Sequence, residues 1–127
     1  MGLTFFPNGV GTDDDGYLYC AIADISTGAS SWSVALPFDV EITGAVVTQE
    51  TAVTGSDAAV TFEIGGTPIT AMVATIVVAG GADGDAFVAV APTGAFALSA
   101  GTAVEVITDG NSTTASLGRV AITYKRV

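Results

Sequence analysis

Apolar and polar positions alternate with a period of two in several separate stretches of this chain, the pattern of strands that bury one face of a sheet. In Tyr17 to Asp24, residues Tyr17, Tyr19, Ala21 and Ala23 share one parity and Leu18, Cys20 and Ile22 the other. Trp32, Val34 and Leu36 alternate with Ser33 and Ala35 until Pro37 ends or bends the strand. Across Phe38 to Thr54, Val40, Ile42 and Val46 share a parity interrupted by Gly44, which predicts a bulge or bend where a long strand passes from one sheet to another. Val60, Phe62 and Ile64 alternate with Thr61 and Glu63 before Gly65-Gly66, a turn leading to Thr67-Pro68-Ile69-Thr70, so this pair reads as a hairpin. The apolar run Met72 to Ala79 fits a buried strand or a short helix by period, and its β-branched residues favour the strand. A Gly/Asp loop at 80–85, a strand over Ala86 to Ala91 and a short one over Phe96 to Ser99 follow.

The last stretch, Gly101 to Val127, pairs two β-branched runs, Thr102 to Thr108 and Leu117 to Lys125, around a polar connector, and predicts a C-terminal hairpin. Val104 and Val106 oppose Ala103, Glu105 and Ile107, so Ile107 needs cover from a loop, another sheet or another subunit. Turn signals about every 8 to 12 residues point to an all-β, single-domain β-sandwich or barrel of about eight strands. The domain is expected over 17–127, with 1–16 an N-terminal arm or irregular segment that carries Phe5 and Phe6. The expected core holds Val40, Ile42, Val46, Val60, Phe62, Ile64, Val104, Val106, Val120, Ile122 and Tyr124.

Composition agrees: 16 Val and 8 Ile against 5 Leu and 2 Met is a strand-forming mixture. Charge changes the picture more. Thirteen acids against three bases, Arg119, Lys125 and Arg126, leave a net charge of −10, which disfavours nucleic acid and anionic membrane surfaces. No apolar run reaches membrane-spanning length and the N-terminus lacks signal-peptide features, so synthesis in a cytoplasm is expected. The single Cys20 reads as a small buried hydrophobe.

Candidate chemistry is sparse. With no His and one Cys, the chain lacks an imidazole base and a thiolate metal cluster. Asp13-Asp14-Asp15-Gly16 lacks the alternating spacers and distal Glu of a calcium loop and reads as a solvated turn. Glu63 and Glu105 could serve a two-carboxylate hydrolase, but they sit on polar strand faces and nothing in the sequence brings them across a cleft. No enzyme activity, cofactor or metal is expected.

The run VEITGAVVTQETAVTGSDAAVTFEIGGTPIT, Val40 to Thr70, together with GTAVEVITDGNSTTASLGRVAITYKRV at the end, resembles the small β-rich head decoration proteins of tailed bacteriophages. The resemblance implies a jelly-roll-like β-sandwich, a capsid-stabilising structural protein on the outer surface of a virion, made in the host cytoplasm. It implies a homo-oligomer, often a trimer, with a major capsid protein as partner. Phe5, Phe6, Ile107, Arg119, Lys125 and Arg126 are then the candidate subunit or capsid contacts. The alternative is a carbohydrate- or receptor-binding β-sandwich, for which Trp32 with Tyr17 or Tyr19 is the available aromatic group.

Overall fold

The computed structural model describes residues 15–28, 31–90 and 96–127. Two antiparallel sheets face each other. Sheet A has the order β1 (Asp15–Ile22), β9 (Gly118–Arg126), β3 (Val40–Gln49), β6 (Ala86–Val90). The short β7 (Phe96–Leu98) continues the β6 edge by pairing with the start of β3. Sheet B has the order β2 (Ser31–Ala35), β8 (Ala103–Thr108), β4 (Ala58–Ile64), β5 (Thr67–Ile76). Counting β6 and β7 as one interrupted strand, the first of eight positions pairs with the last, the second with the seventh, the third with the sixth and the fourth with the fifth. One long antiparallel hairpin wound on itself in this way is a jelly roll.

The centre of that hairpin is the β4–β5 turn. Gly65 and Gly66 both have positive φ, 57° and 82°, the conformation that a two-residue turn between twisted strands requires and that residues with a Cβ resist. The C-terminal pair departs from the sequence expectation. β8 and β9 are not a hairpin: β8 pairs with β2 and β4 in sheet B, and β9 with β1 and β3 in sheet A. The connector at 109–117 is long enough to cross the roughly 10 Å between stacked sheets, so adjacency in sequence does not become adjacency in a ladder.

β3 also differs, and the cause is local. It stays in sheet A throughout, but its register with β9 shifts between Ile42 and Gly44. That bulge reverses the parity: Val40 and Ile42 point inward, then Ala45, Val47 and Gln49 do, and Val46 turns outward. A Cβ on Gly44 would lie 2.9 Å from the Ala89 carbonyl oxygen, so β6 approaches this bulge closely. The expected two strands at 67–79 are one. β5 absorbs a bulge opposite Thr61–Glu63, where Ala71 takes a positive φ of 68°, and beyond it Met72, Ala74 and Ile76 face the core while Val73 and Thr75 face out.

The core therefore holds Val40, Ile42, Val60, Phe62, Val104, Val106, Val120 and Ile122 as expected, and adds Ile25, Val47, Val53, Met72, Ile76 and Leu98. Ile64 and Tyr124 pack half-buried at its margin, whereas Val46 lies outside. Cys20 is a free, buried thiol whose pKa burial pushes up to about 11, so it stays neutral and packs as a hydrophobe.

The connectors at 23–28, 50–57, 77–85 and 109–117 all lie at the same end of the sandwich, because each joins strand termini that the registers place together. Two side chains organise this end. The fully buried Gln49 donates from Nε2 to the Ala82 carbonyl at 2.9 Å and accepts the Val53 amide on Oε1 at 3.2 Å, tying two connectors to β3. Gln49→Leu keeps the volume but leaves the buried partners without the side-chain amide. We expect a loss of about 2–4 kcal/mol, checked by urea denaturation.

Asp24 is the second organiser. Its Oδ1 accepts from the Ser26 hydroxyl at 2.7 Å, the Ser26 amide at 2.9 Å and the Ser116 amide at 3.2 Å, and Oδ2 accepts from the Thr27 hydroxyl at 3.1 Å. These bonds, the Ser26 hydroxyl first, hold its pKa below the ordinary aspartate value. A depressed folded pKa contributes stability that is complete above the unfolded value, about 4, and disappears as pH falls through the folded one. Acid denaturation below about pH 4 should be shallower in Asp24→Asn than in the native chain, because the variant lacks this contribution at every pH.

Candidate assembly surface

The outer face of sheet A is where the sequence pattern and the structure leave apolar surface uncovered. β1 turns Leu18, Cys20 and Ile22 inward, which sends Tyr17, Tyr19 and Ala21 out. The bulge in β3 sends Val46 out, and in β6 the inward places are taken by Phe87 and Ala89, leaving Val88 and Val90 outside. The registers line these residues up. Tyr19 pairs with Ala121, Ala121 with Val46, and Val46 with Val88, giving an uncharged row across the whole width of the sheet. A parallel row runs through Tyr17, Thr123, Gly44 and Val90. Tyr17, Tyr19, Val88 and Val90 remain 68%, 52%, 64% and 66% exposed, unusual for large apolar side chains grouped on one face.

Charge is confined to the rim. At the connector end, Arg119 donates from Nη1 to the Tyr19 hydroxyl at 3.0 Å and from Nη2 to Glu50 Oε2 at 3.1 Å. These bonds, the one to Tyr19 foremost, favour the protonated guanidinium further. Both ion-pair partners are about half exposed, so the pair adds little to stability; its consequence is to fix Arg119 and Tyr19 in place. At the opposite end Lys125 has Glu41 as its cross-strand neighbour. The Arg126 guanidinium lies 4.0 Å from the centre of the Phe38 ring, and Phe38 in turn lies 6.3 Å from Tyr124. An apolar centre with a charged rim, built from Tyr and Arg with Val, has the anatomy of a protein–protein contact.

The expected contact residues thus fall in different places. Arg119 and Lys125 border opposite ends of the sheet A face, and Arg126, next to Lys125 at the end of β9, is of the other parity and lies over the Phe38 ring. Ile107 is half-buried on the outer face of sheet B, across from Thr61 in β4. Phe5 and Phe6 lie outside the described residues. Tyr17, Tyr19, Val46, Val88 and Val90 were not expected as contacts. In Ala86–Val90 both parities are apolar, so the pattern carries no sign of which side faces out; Tyr19 with Arg119 could have been found only by pairing β1 with β9.

Sheet B answers two other questions. Glu63 and Glu105 are direct cross-strand partners, brought together as the sequence did not predict. They stand side by side on one open sheet face and not across a cleft, which is not the opposed arrangement that glycoside hydrolysis uses. Among the described residues, no group of three or more His, Cys, Asp or Glu is placed to hold a metal ion. Trp32 pairs with Val106 and packs half-buried against the core, away from Tyr17 and Tyr19 on the other sheet. The aromatics considered for a sugar platform therefore do not converge.

Neither a protein-family model nor a curated protein sequence matches the chain. Among solved structures it is similar to a chain of the cyanophage Pam1 capsid asymmetric unit, with 19% identity, a TM-score of 0.54, and 100% of this chain and 94% of that chain covered. It also aligns with a chain of the virus-like particle of extra small virus from the giant freshwater prawn Macrobrachium rosenbergii, with 13% identity, a TM-score of 0.33 and coverage of 98% and 89%. The first likeness shows a shared fold.

Proposed function

We propose that this protein is a structural component of a virus particle, a head decoration protein that binds the outside of a phage capsid and stabilises it as a ring of three copies. The apolar outer face of sheet A carries the reading: such a face is costly for a monomer to expose and natural for a chain that spends its working life against other protein. The jelly roll shared with a chain of a cyanophage capsid asymmetric unit supports it, as does the resemblance of Val40 to Thr70 and of Gly101 to Val127 to decoration proteins. In this reading the sheet A face joins copies to one another. The C-terminal end with Lys125 and Arg126, together with Phe5 and Phe6, orients the ring on the shell, and Ile107 offers a smaller second contact.

The test is to mix the purified protein with undecorated heads of the phage that encodes it, then measure cosedimentation and the temperature at which the heads open. Binding with a raised opening temperature is expected. Failure to bind, or binding without any gain in particle stability, contradicts the reading. Lys125→Ser with Arg126→Ser should slow docking and flatten its salt dependence while leaving the fold intact, because complementary charge acts chiefly on encounter and orientation.

A further inference from the structure

We propose that the free edge of β1 pairs with β1 of a second copy, antiparallel across a two-fold axis, so that two sheets A become one continuous sheet. A sheet edge presents unpaired N–H and C=O groups, and proteins ordinarily guard it with proline, bulges, charge or brevity. The four edges of this sandwich differ in that respect. β5 carries Pro68 and the bulge at Ala71. β2 is five residues long and is followed by Pro37. The remaining edge of sheet A is broken into the short β6 and β7. β1 is eight residues long and unbroken, with no proline, no lysine and no charge between Gly16 and Ile22. Among the described residues, its backbone ladder runs only to β9.

The occupant is a second copy because the sequence of β1 is complementary to itself. Face parity allows only registers that set outward residues against outward residues. The one that places Leu18 opposite Leu18 of the second copy sets Tyr17 opposite Tyr19 twice, and aromatic cross-strand pairs are among the stabilising ones. The uncharged rows of the two outer faces then run on across the junction, doubling a face that is four strands, or roughly 19 Å, wide. A two-fold contact closes at two copies, so it pairs one ring with another and does not close a ring itself. The pairing rests on the edge alone and stands whether or not the chain belongs to a virion.

The test uses disulfide capture in full-length chains that carry Cys20→Ser. Tyr17→Cys and Tyr19→Cys chains are prepared separately, checked by circular dichroism, and oxidised alone and as a mixture. The proposed register puts position 17 against position 19 of the other copy, so the mixture should yield a covalent dimer and neither chain alone should. Equal crosslinking in all three samples, or none in the mixture, overturns the register. Hydrogen exchange on the native chain is independent of these substitutions: amides of 15–22 should exchange more slowly as concentration rises while those of β5 do not change, and concentration-independent exchange in β1 overturns the pairing. A failure here with intact capsid binding separates this contact from the decoration role.

Discussion

Phe62→Ala, which truncates the largest of the fully buried side chains, is expected to lower folding stability by about 3–5 kcal/mol. Phe62 lies at the middle of β4, fully buried, and β4 is an inner strand of sheet B with β8 on one side and β5 on the other. Truncating it removes the transfer free energy of the ring and leaves a cavity between two sheets whose backbones are held apart by their other side chains, so the space cannot readily collapse. Against a total stability on the order of 5–15 kcal/mol, that loss leaves a marginal domain. Thermal or urea unfolding followed by circular dichroism measures it. A loss below about 1 kcal/mol would mean that the core centres elsewhere.

The strands themselves were legible in the sequence because alternation survives wherever one face is buried. Val60, Phe62 and Ile64 declare an inner face, and Gly65-Gly66 declares the turn that follows. What alternation does not encode is which sheet a strand joins. The 109–117 connector permits either a hairpin or a crossing between sheets, and only the pairing of β9 with both β1 and β3 decides between them. Bulges are the second blind spot. Gly44 marked one, yet its consequence, the reversal of parity that expels Val46 from the core, depends on where β9 shifts register. The proposed contact face was the least legible feature. Its residues come from β1, β3, β6 and β9 and meet only after the jelly roll closes, and in Ala86–Val90 the outward valines look the same as core residues.

The second large effect concerns that face. Val88→Asp combined with Val90→Asp is expected to weaken self-association by at least about 100-fold while leaving the monomer folded. Both side chains point to solvent in the single chain, so carboxylates there cost the fold little. In an assembled state they would be buried in an apolar patch without partners, which is far more costly. Arg119 is too far along the sheet to compensate, since it pairs across from Thr48 and is engaged by Glu50 and Tyr19.

Light scattering on the native chain and on this double variant therefore bears most directly on the claim that the outer face of sheet A is an assembly surface. The native protein should have a mass of three times 12.6 kDa or a multiple of that, and the folded variant the 12.6 kDa of a single chain, or twice that where only the β1 edges stay paired. A native chain that stays monomeric at high concentration, or a variant whose assembled mass is unchanged, would contradict it.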